Sequence, residues 1–330
     1  MLRLANYRNF PVLNQMKSFH QRTILQRVDC LLVYTEEQVE FYSSLGKPVF
    51  TLKSSPKEVA SILWKSSSIY IHPDGFDYWI DVLQVLDTKH TLPVKLFIFA
   101  GSDFSITDEH IDFWTMQFPK ATFWIQNYLG THTRCKIFPI GVNSPIELTE
   151  REKSKPLAIS YFNSLNSKER SELQDYLEKE QSLHQYQLPK CSIEDYLEQM
   201  SNAYFSVCPT GNGYDSLRFW ESLSVGSIPL VLSSPYIEAL LEHHPELPFM
   251  ILERWSDLKS FVKSDMQKVY DMYMKMSNLE LLTEDYWQKL FDDTLQTPGE
   301  TSQSNTREEV SPSEMTVKQT SQESELTNRA

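Results

Sequence analysis

The sequence predicts an α/β protein with two tandem parallel-sheet domains. Three observations predict it. Short apolar runs alternate with amphipathic helical segments through the first half, a polar break with two prolines follows at residues 143–156, and the alternation then restarts. The length of 330 residues agrees, since one domain ordinarily takes roughly 100–200.

In the first half, DCLLVY (29–34), PVFTL (48–52), SIYIHP (68–73), KLFIFAG (95–101), ATFWIQ (121–126) and KIFPIG (136–141) read as strands. They are near-continuous apolar runs, as strands buried on both faces must be. TEEQVEFYSSLG between them opens on Thr-x-x-Gln and closes on Gly46, a capping box followed by a terminating glycine. SPKEVASILWKS starts with a serine cap and Pro56 in its first turn. DGFDYWIDVLQVLDT repeats apolar residues at helical spacing.

After the break, LAISYF (157–162), HQYQLP (184–189), YFSVCP (204–209), SIPLVL (227–232) and PFMIL (248–252) read as strands. NSKERSELQDYLEKE and SIEDYLEQMSNA read as helices, and one or two long helices fill residues 256–295. From Gln296 the chain has no aromatic residue and is rich in Ser, Thr, Glu and Gln, so too little apolar surface is available to offset the entropy of ordering it. The expected organisation is a first domain over 1–145, a linker over 146–156, a second domain with C-terminal helices over 157–295, and a disordered tail over 296–330. Ligands of open α/β sheets bind beyond the carboxyl ends of the strands, and both domains are expected to turn those ends toward one cleft.

A formal charge of −13 and the lack of a basic run argue against a general nucleic-acid binder and leave room only for a local phosphate pocket. Cys30, Cys135, Cys191 and Cys208 include no C-x-x-C pair, so they read as reduced core thiols and not as a zinc site. The N-terminus has no uninterrupted apolar stretch of the signal-peptide kind, and no window nears the roughly 20 apolar residues that span a bilayer. The chain is therefore expected to be soluble and cytoplasmic, with peripheral membrane association left open.

Three of the nine glycines fall within CPTGNGYDSLRFWESLSVGSIPLVL, residues 208–232. A glycine loop at a strand's carboxyl end, feeding a helix, can cradle a phosphate on free N–H groups and the helix dipole. The helix is expected to start near Tyr214 or Asp215 and to end at Gly226. Helical spacing then puts Asp215, Arg218 and Ser222 on one side, with Glu221 about 60° from Arg218. Arg218 can fork onto a diphosphate and Glu221 can accept from ribose hydroxyls. Spacing alone equally allows an Arg218–Glu221 ion pair on a solvated face. The stretch lacks the residues of a P-loop and of G-x-G-x-x-G.

This same stretch resembles the signature of the exostosin-like glycosyltransferases. The resemblance rests on Cys208-Pro209, Gly211-Asn212-Gly213, Asp215, Arg218, Trp220-Glu221, Gly226 and Pro229, with SIEDYLEQMSNAYFSV matching the family's lead-in helix. FWIQNYLGTHTRCKIFPIGVNSP and LAISYFNSLNSKERSEL resemble the end of the family's first domain and the start of its second. Residues 1–90 carry no matching motif. Members in animals and plants are usually anchored in the Golgi membrane, and this sequence shows no anchor.

The resemblance implies a GT-B fold, with two Rossmann-like domains facing across a cleft and a nucleotide-sugar donor, by family habit a UDP-sugar, on the second domain. It implies inverting transfer to a glycan or other hydroxyl acceptor, with no bound metal and no further cofactor. The sequence fits, since no Asp-x-Asp stands near a strand end. A general base is then needed in the first domain. Asp103, at the end of a predicted strand, is the first candidate, and His72 and Asp74 are the second. Gly211, Asn212, Gly213, Asp215, Arg218, Glu221, Asn163, Asn166 and Arg170 are the candidates for the donor, and Asn127 and Gly141 for the acceptor cleft. The alternative is an inactive nucleotide-sugar-binding protein of the same fold, or an unrelated two-domain α/β protein.

Overall fold

The computed structural model describes residues 16–87, 91–143, 146–147, 152–163 and 167–296. Two parallel sheets organise them. The first contains β1 (Cys30–Leu32), β2 (Val49–Phe50), β3 (Ser68–Ile71), β4 (Leu96–Phe99), β5 (Thr122–Ile125) and β6 (Cys135–Ile137), in the order β2-β1-β3-β4-β5-β6. The second contains β7 (Lys155–Ala158), β8 (Ala203–Val207), β9 (Ile228–Leu232) and β10 (Met250–Leu252), in the order β10-β9-β8-β7. The α/β class and the two parallel sheets expected from the sequence are both present.

Every residue of β1, β3 and β4 is buried, which explains the unbroken apolar runs. Strand alternation sends Phe97, Phe99 and Phe123 to one face. There Phe97 and Phe99 meet Trp114 of helix α5 (Asp108–Gln117), and Phe97 stacks on Phe123. Trp124 points to the other face. The sequence reading left out helix α5 and also α9 (Pro235–His243).

The remaining helices of the first half are α1 (Gln21–Leu25), α2 (Glu36–Ser43), α3 (Pro56–Leu63) and α4 (Phe76–Leu86). The capping box at α2 is as expected, with Thr35 accepting from the Gln38 N–H and Gln38 accepting from the Thr35 N–H. The second half adds α6 (Lys168–Lys179), α7 (Ile193–Ser201), α8 (Leu217–Ser224), α10 (Leu258–Phe261), α11 (Met266–Met276) and α12 (Glu284–Gln296).

Three expectations are corrected. HQYQLP is not a strand. A 3-10 turn over Gln181–Tyr186 leads to one parallel bridge, Gln187 to Ile159, because Pro189 ends any ladder there. That bridge still lies beyond β7, so the second sheet repeats the order of the first, with a switch point between β7 and β8 to match the one between β1 and β3. β7 opens at Lys155, inside the expected 146–156 linker, of which 148–151 lie outside the described residues. The 157–295 block is also not continuous in space. α12 returns to the first sheet, where Trp287 packs on Trp124, Phe138 and Phe19 at ring distances of 5.4, 5.4 and 5.0 Å. Arg27 pairs with Asp292 and lies over Phe291. The expected tail beyond Gln296 lies outside the described residues.

The second sheet has its own apolar core around Leu157, Phe205, Ile228 and Leu230, but two of its helices pack elsewhere. Phe219, Trp220 and Leu223 of α8 and Tyr236, Ile237 and Leu240 of α9 join the cluster built on the first sheet. Among the described residues no helix is long and apolar enough to cross a membrane.

Candidate functional site

The carboxyl ends of both sheets meet. A cavity of about 520 Å³ opens at the β7/β8 switch point. Gly211, Asn212, Gly213, Asp215, Arg218, Glu221, Arg170, Tyr161, Lys190 and Tyr196 line it. A larger one, about 980 Å³, opens at the β1/β3 switch point, between Gln38 and Tyr42 of α2 and His72 and Asp74 beyond β3. Asp103 and Ile140 line both, so Asp103 stands where the two cavities join.

α8 begins at Leu217, with Ser216 as its N-cap, two to three residues later than the sequence suggested. This puts Arg218 in the first turn. Its Nη2 donates to the Tyr161 carbonyl at 2.9 Å, while Nε and Nη1 are buried with no hydrogen-bond partner among the described residues. Two buried donors left unmet on a half-buried guanidinium are costly unless an acceptor enters. Arg170 approaches from α6, where its Nε donates to the Thr210 carbonyl at 2.7 Å. Burial and the neighbouring Arg218 charge both pull Arg170 below the usual arginine range. Neither guanidinium pairs with a carboxylate among the described residues, and together they form a receptor for an anion with several oxygens.

Glu221 does not pair with Arg218; no ion pair joins them among the described residues. It is 7% exposed and accepts from the Tyr196 hydroxyl at 3.0 Å. Burial raises its pKa against the opposing pull of Tyr196 and Arg218. The solvated surface pair that spacing allowed is therefore not what α8 carries.

Asp215 lines the cavity, but its carboxylate is already engaged. It lies before α8 and is only 5% exposed. Its carboxylate accepts from the Ile140 N–H and from the Trp220 indole N–H, each at 2.6 Å. It serves the joint between the sheets. Asn127 belongs to the same joint and is fully buried. Its Oδ1 accepts from the Asp215 N–H at 2.7 Å, and its Nδ2 donates to the Ser102 carbonyl at 3.0 Å. It takes φ = 53°, a left-handed conformation that asparagine tolerates. Gly141 also leaves the cleft. It takes φ = 68°, and a Cβ there would stand 2.6 Å from the Phe19 carbonyl oxygen, so backbone conformation and packing both call for glycine. Ser222, expected beside Arg218, is buried against Cys208 and Met200.

The glycine loop is now legible. Neither Gly211 nor Gly213 has a positive φ. Gly213 is glycine because a Cβ would meet Asn127 Nδ2 at 2.9 Å and Asp103 Oδ1 at 3.0 Å. A Cβ at Gly211 would stand 3.4 Å from Arg170 Nη2, an ordinary contact, and the Gly211 N–H is held by the Gly213 carbonyl. Asn212 is exposed at the rim. Asn163 lies in the loop after β7 and outside the lining, and Asn166 lies outside the described residues.

On the first sheet, Asp103 is exposed and its carboxylate makes no hydrogen bond or ion pair among the described residues. Asp74 accepts from the Ser102 hydroxyl at 2.7 Å. His72 is 5% exposed, and its Nε2 bonds the Gly101 carbonyl at 2.9 Å, which fixes that nitrogen as the N–H. Its Nδ1 faces the Asp74 N–H at 3.4 Å and the Gln38 amide at 3.2 Å. Burial lowers the His72 pKa against the opposing effects of Asp74 and Gly101. Both ring nitrogens are thus engaged.

Sequence reasoning missed Tyr196, Lys190, Tyr161 and Gln126. Lys190 sits 5.6 Å over the Tyr161 ring at the cavity mouth. None of the four belongs to a spaced pattern; only tertiary contact brings them in. Cys30, Cys135 and Cys208 are core thiols, pushed up to about 12 by burial, but Cys191 is exposed at the cavity. No group of three or more His, Cys, Asp or Glu suited to a metal occurs among the described residues.

No protein-family profile matches the chain, and no curated protein does. Solved structures do. One is T4 phage BGT in complex with UDP-glucose, at 13% identity and a TM-score of 0.35, over 81% of this chain and 99% of that one. An alpha-glucosyltransferase bound to UDP and a 13-mer DNA with an HMU base aligns at 10% identity and 0.38, over 81% and 99%. The GtfA/B complex aligns at 10% and 0.41, over 84% of this chain and 60% of that one.

Proposed function

We propose that this chain is a glycosyltransferase of the GT-B type, which transfers a sugar from a nucleoside-diphosphate sugar to a hydroxyl acceptor. The observation that carries the reading is Arg218, with two buried donors unmet, converging with Arg170 on one cavity. The diphosphate bridges the two guanidinium groups at the open start of α8. Glu221, held by Tyr196, takes ribose hydroxyls, and the base lies along Pro189 and the half-exposed Ile193. The resemblance in residues 204–232 favours UDP as the nucleotide.

The acceptor enters the 980 Å³ cavity of the first sheet, where its hydroxyl meets Asp103. The acceptor oxygen bonds the anomeric carbon from the side opposite the leaving group. The bond from that carbon to the phosphate oxygen breaks, its electron pair leaves with the nucleoside diphosphate, and the hydroxyl proton passes to the Asp103 carboxylate. Configuration inverts. Arg170 and Arg218 stabilise the departing charge. His72 is the weaker candidate for the base because both its nitrogens are already engaged.

The test is nucleotide release from UDP-glucose, UDP-galactose, UDP-N-acetylglucosamine and GDP-mannose, with mixed mono- and disaccharides as acceptors. The expected result is release from one donor that Asp103→Asn and Arg218→Ala each abolish. Release that survives Arg218→Ala undiminished overturns the reading.

A further inference from the structure

Four polar groups of the turn Gly101–Ser102–Asp103 are held, two on Gly101 and two on Ser102. The Gly101 N–H donates to Gln126 Oε1 at 3.0 Å, and the Gly101 carbonyl accepts from His72 Nε2 at 2.9 Å. The Ser102 hydroxyl donates to Asp74 at 2.7 Å, and the Ser102 carbonyl accepts from Asn127 at 3.0 Å. The Phe104 N–H reaches back to Ser102 Oγ at 3.2 Å. Gly101 takes φ = 88°, and a Cβ there would stand 2.6 Å from both the Tyr42 and Tyr70 hydroxyls. Those hydroxyls bond each other at 2.6 Å, and Tyr70 donates to the Ala100 carbonyl at 2.6 Å.

Gln126 is central to this clamp. It is 3% exposed, and its Oε1 accepts from both Gly101 N–H and Gln21 Nε2, each at 3.0 Å. Gln21 Nε2 also donates to the Pro139 carbonyl at 2.9 Å. One amide oxygen therefore ties the Asp103 turn to α1 and to the strand-end loop that carries Ile140. A packing role alone does not call for a buried carbonyl oxygen aimed at the Gly101 N–H.

We infer that Gln126, with His72, is a positioning residue that holds the Asp103 carboxylate at the junction of the two cavities. The inference rests on Asp103 accepting the acceptor proton. Both residues act through the Gly101 peptide and touch no reacting atom. Reacting groups displaced by about 1 Å can lose about a hundredfold in rate, so a loosened turn is felt in turnover and not in nucleotide affinity.

The experiment compares full-length Gln126→Met, Gln126→Glu and Asp103→Asn with the unaltered chain. Three quantities are read: UDP affinity, UDP release from UDP-glucose with water as acceptor, and hydrogen exchange of the amides at 101–104. Gln126→Met is expected to bind UDP as the unaltered chain does, to release it roughly 30- to 100-fold more slowly, and to exchange faster at the turn. Gln126→Glu keeps an oxygen for both N–H groups and is expected to restore rate and protection. If Asp103→Asn is inactive but Gln126→Met keeps full turnover, the positioning role is overturned while the base assignment stands. If Asp103→Asn keeps full turnover, the base assignment fails, and the inference with it. A rate loss in Gln126→Met that only follows lost UDP binding also overturns it. Where UDP-glucose is not turned over, unchanged exchange at 101–104 in Gln126→Met overturns the clamp directly.

Discussion

Asn127 and Asp215 join the two sheets by a crossed pair of bonds. The Asn127 side chain accepts from the Asp215 N–H at 2.7 Å, and the Asp215 side chain accepts from the Ile140 N–H at 2.6 Å. Each half thus offers a side-chain acceptor to the backbone of the other, in the floor of the cleft. The motif from Asp215 to Glu221 divides accordingly. Asp215 bonds Trp220 and serves the joint at the edge of the cavity, while Arg218 and Glu221 line the cavity without taking part in the joint.

The joint is pH-dependent. Burial pushes the Asp215 carboxyl up to about 6, against roughly 3.9 in an unfolded chain. Between these values the folded state holds more protons than the unfolded one. Asp215 thus contributes its full stability below about pH 4, and that contribution is lost as pH rises through about 6. The difference in urea stability between the unaltered chain and Asp215→Asn is expected to change by up to ~3 kcal/mol between pH 4 and pH 7. An equal difference at both values contradicts this.

The two loop glycines are expected to differ. In Gly213→Ala the new methyl meets Asn127, which is buried and bonded on both sides and cannot move, and Asp103, which can. A loss of about 1–3 kcal/mol is expected, with slower turnover as Asp103 swings aside. Gly211→Ala meets the end of Arg170 and the Gly213 carbonyl at ordinary contact distances and is expected to cost under about 0.5 kcal/mol. Thermal unfolding of the two variants side by side checks the contrast.

α12 is a structural part of the first sheet. Trp287 is 1% exposed and donates its indole N–H to the Leu281 carbonyl. Trp287→Ala is expected to cost about 3–5 kcal/mol in urea unfolding. A cost below about 1 kcal/mol would mean that the return of α12 adds little.

Arg170 and Arg218 are the groups assigned to the diphosphate charge. UDP binding measured by calorimetry is therefore expected to persist in excess EDTA, with affinity changed less than about twofold. Loss of binding on chelation, restored by a divalent cation, contradicts that assignment.

Much of the first sheet was legible because its strands are short apolar runs set off by caps such as Thr35–Gln38. Arg218 and Glu221 were legible as a pair worth attention, since helical spacing alone puts them near each other. Their separation was not, because Glu221 is claimed by Tyr196, 25 residues away. The Asn127–Asp215 joint spans 88 residues and leaves no periodic trace. The same holds for the return of α12, whose amphipathic pattern says that a face is buried but not on which sheet. Asp215 was misread for a local reason. Helical counting from the glycine loop cannot tell a first turn from the extended residues before it, and Ser216 is extended at φ −123°, ψ 127°.

The most direct test of the central claim is a thermal-shift titration of the full chain with UDP, GDP, CMP, ADP and dTDP, with Arg218→Ala alongside. A ligand that binds only the folded state raises the midpoint by mass action. One diphosphate is expected to raise it, and Arg218→Ala, itself folded, is expected to lose that rise. A rise that persists unchanged in Arg218→Ala, or no rise with any nucleotide, would contradict the assignment of this cavity to a nucleoside diphosphate.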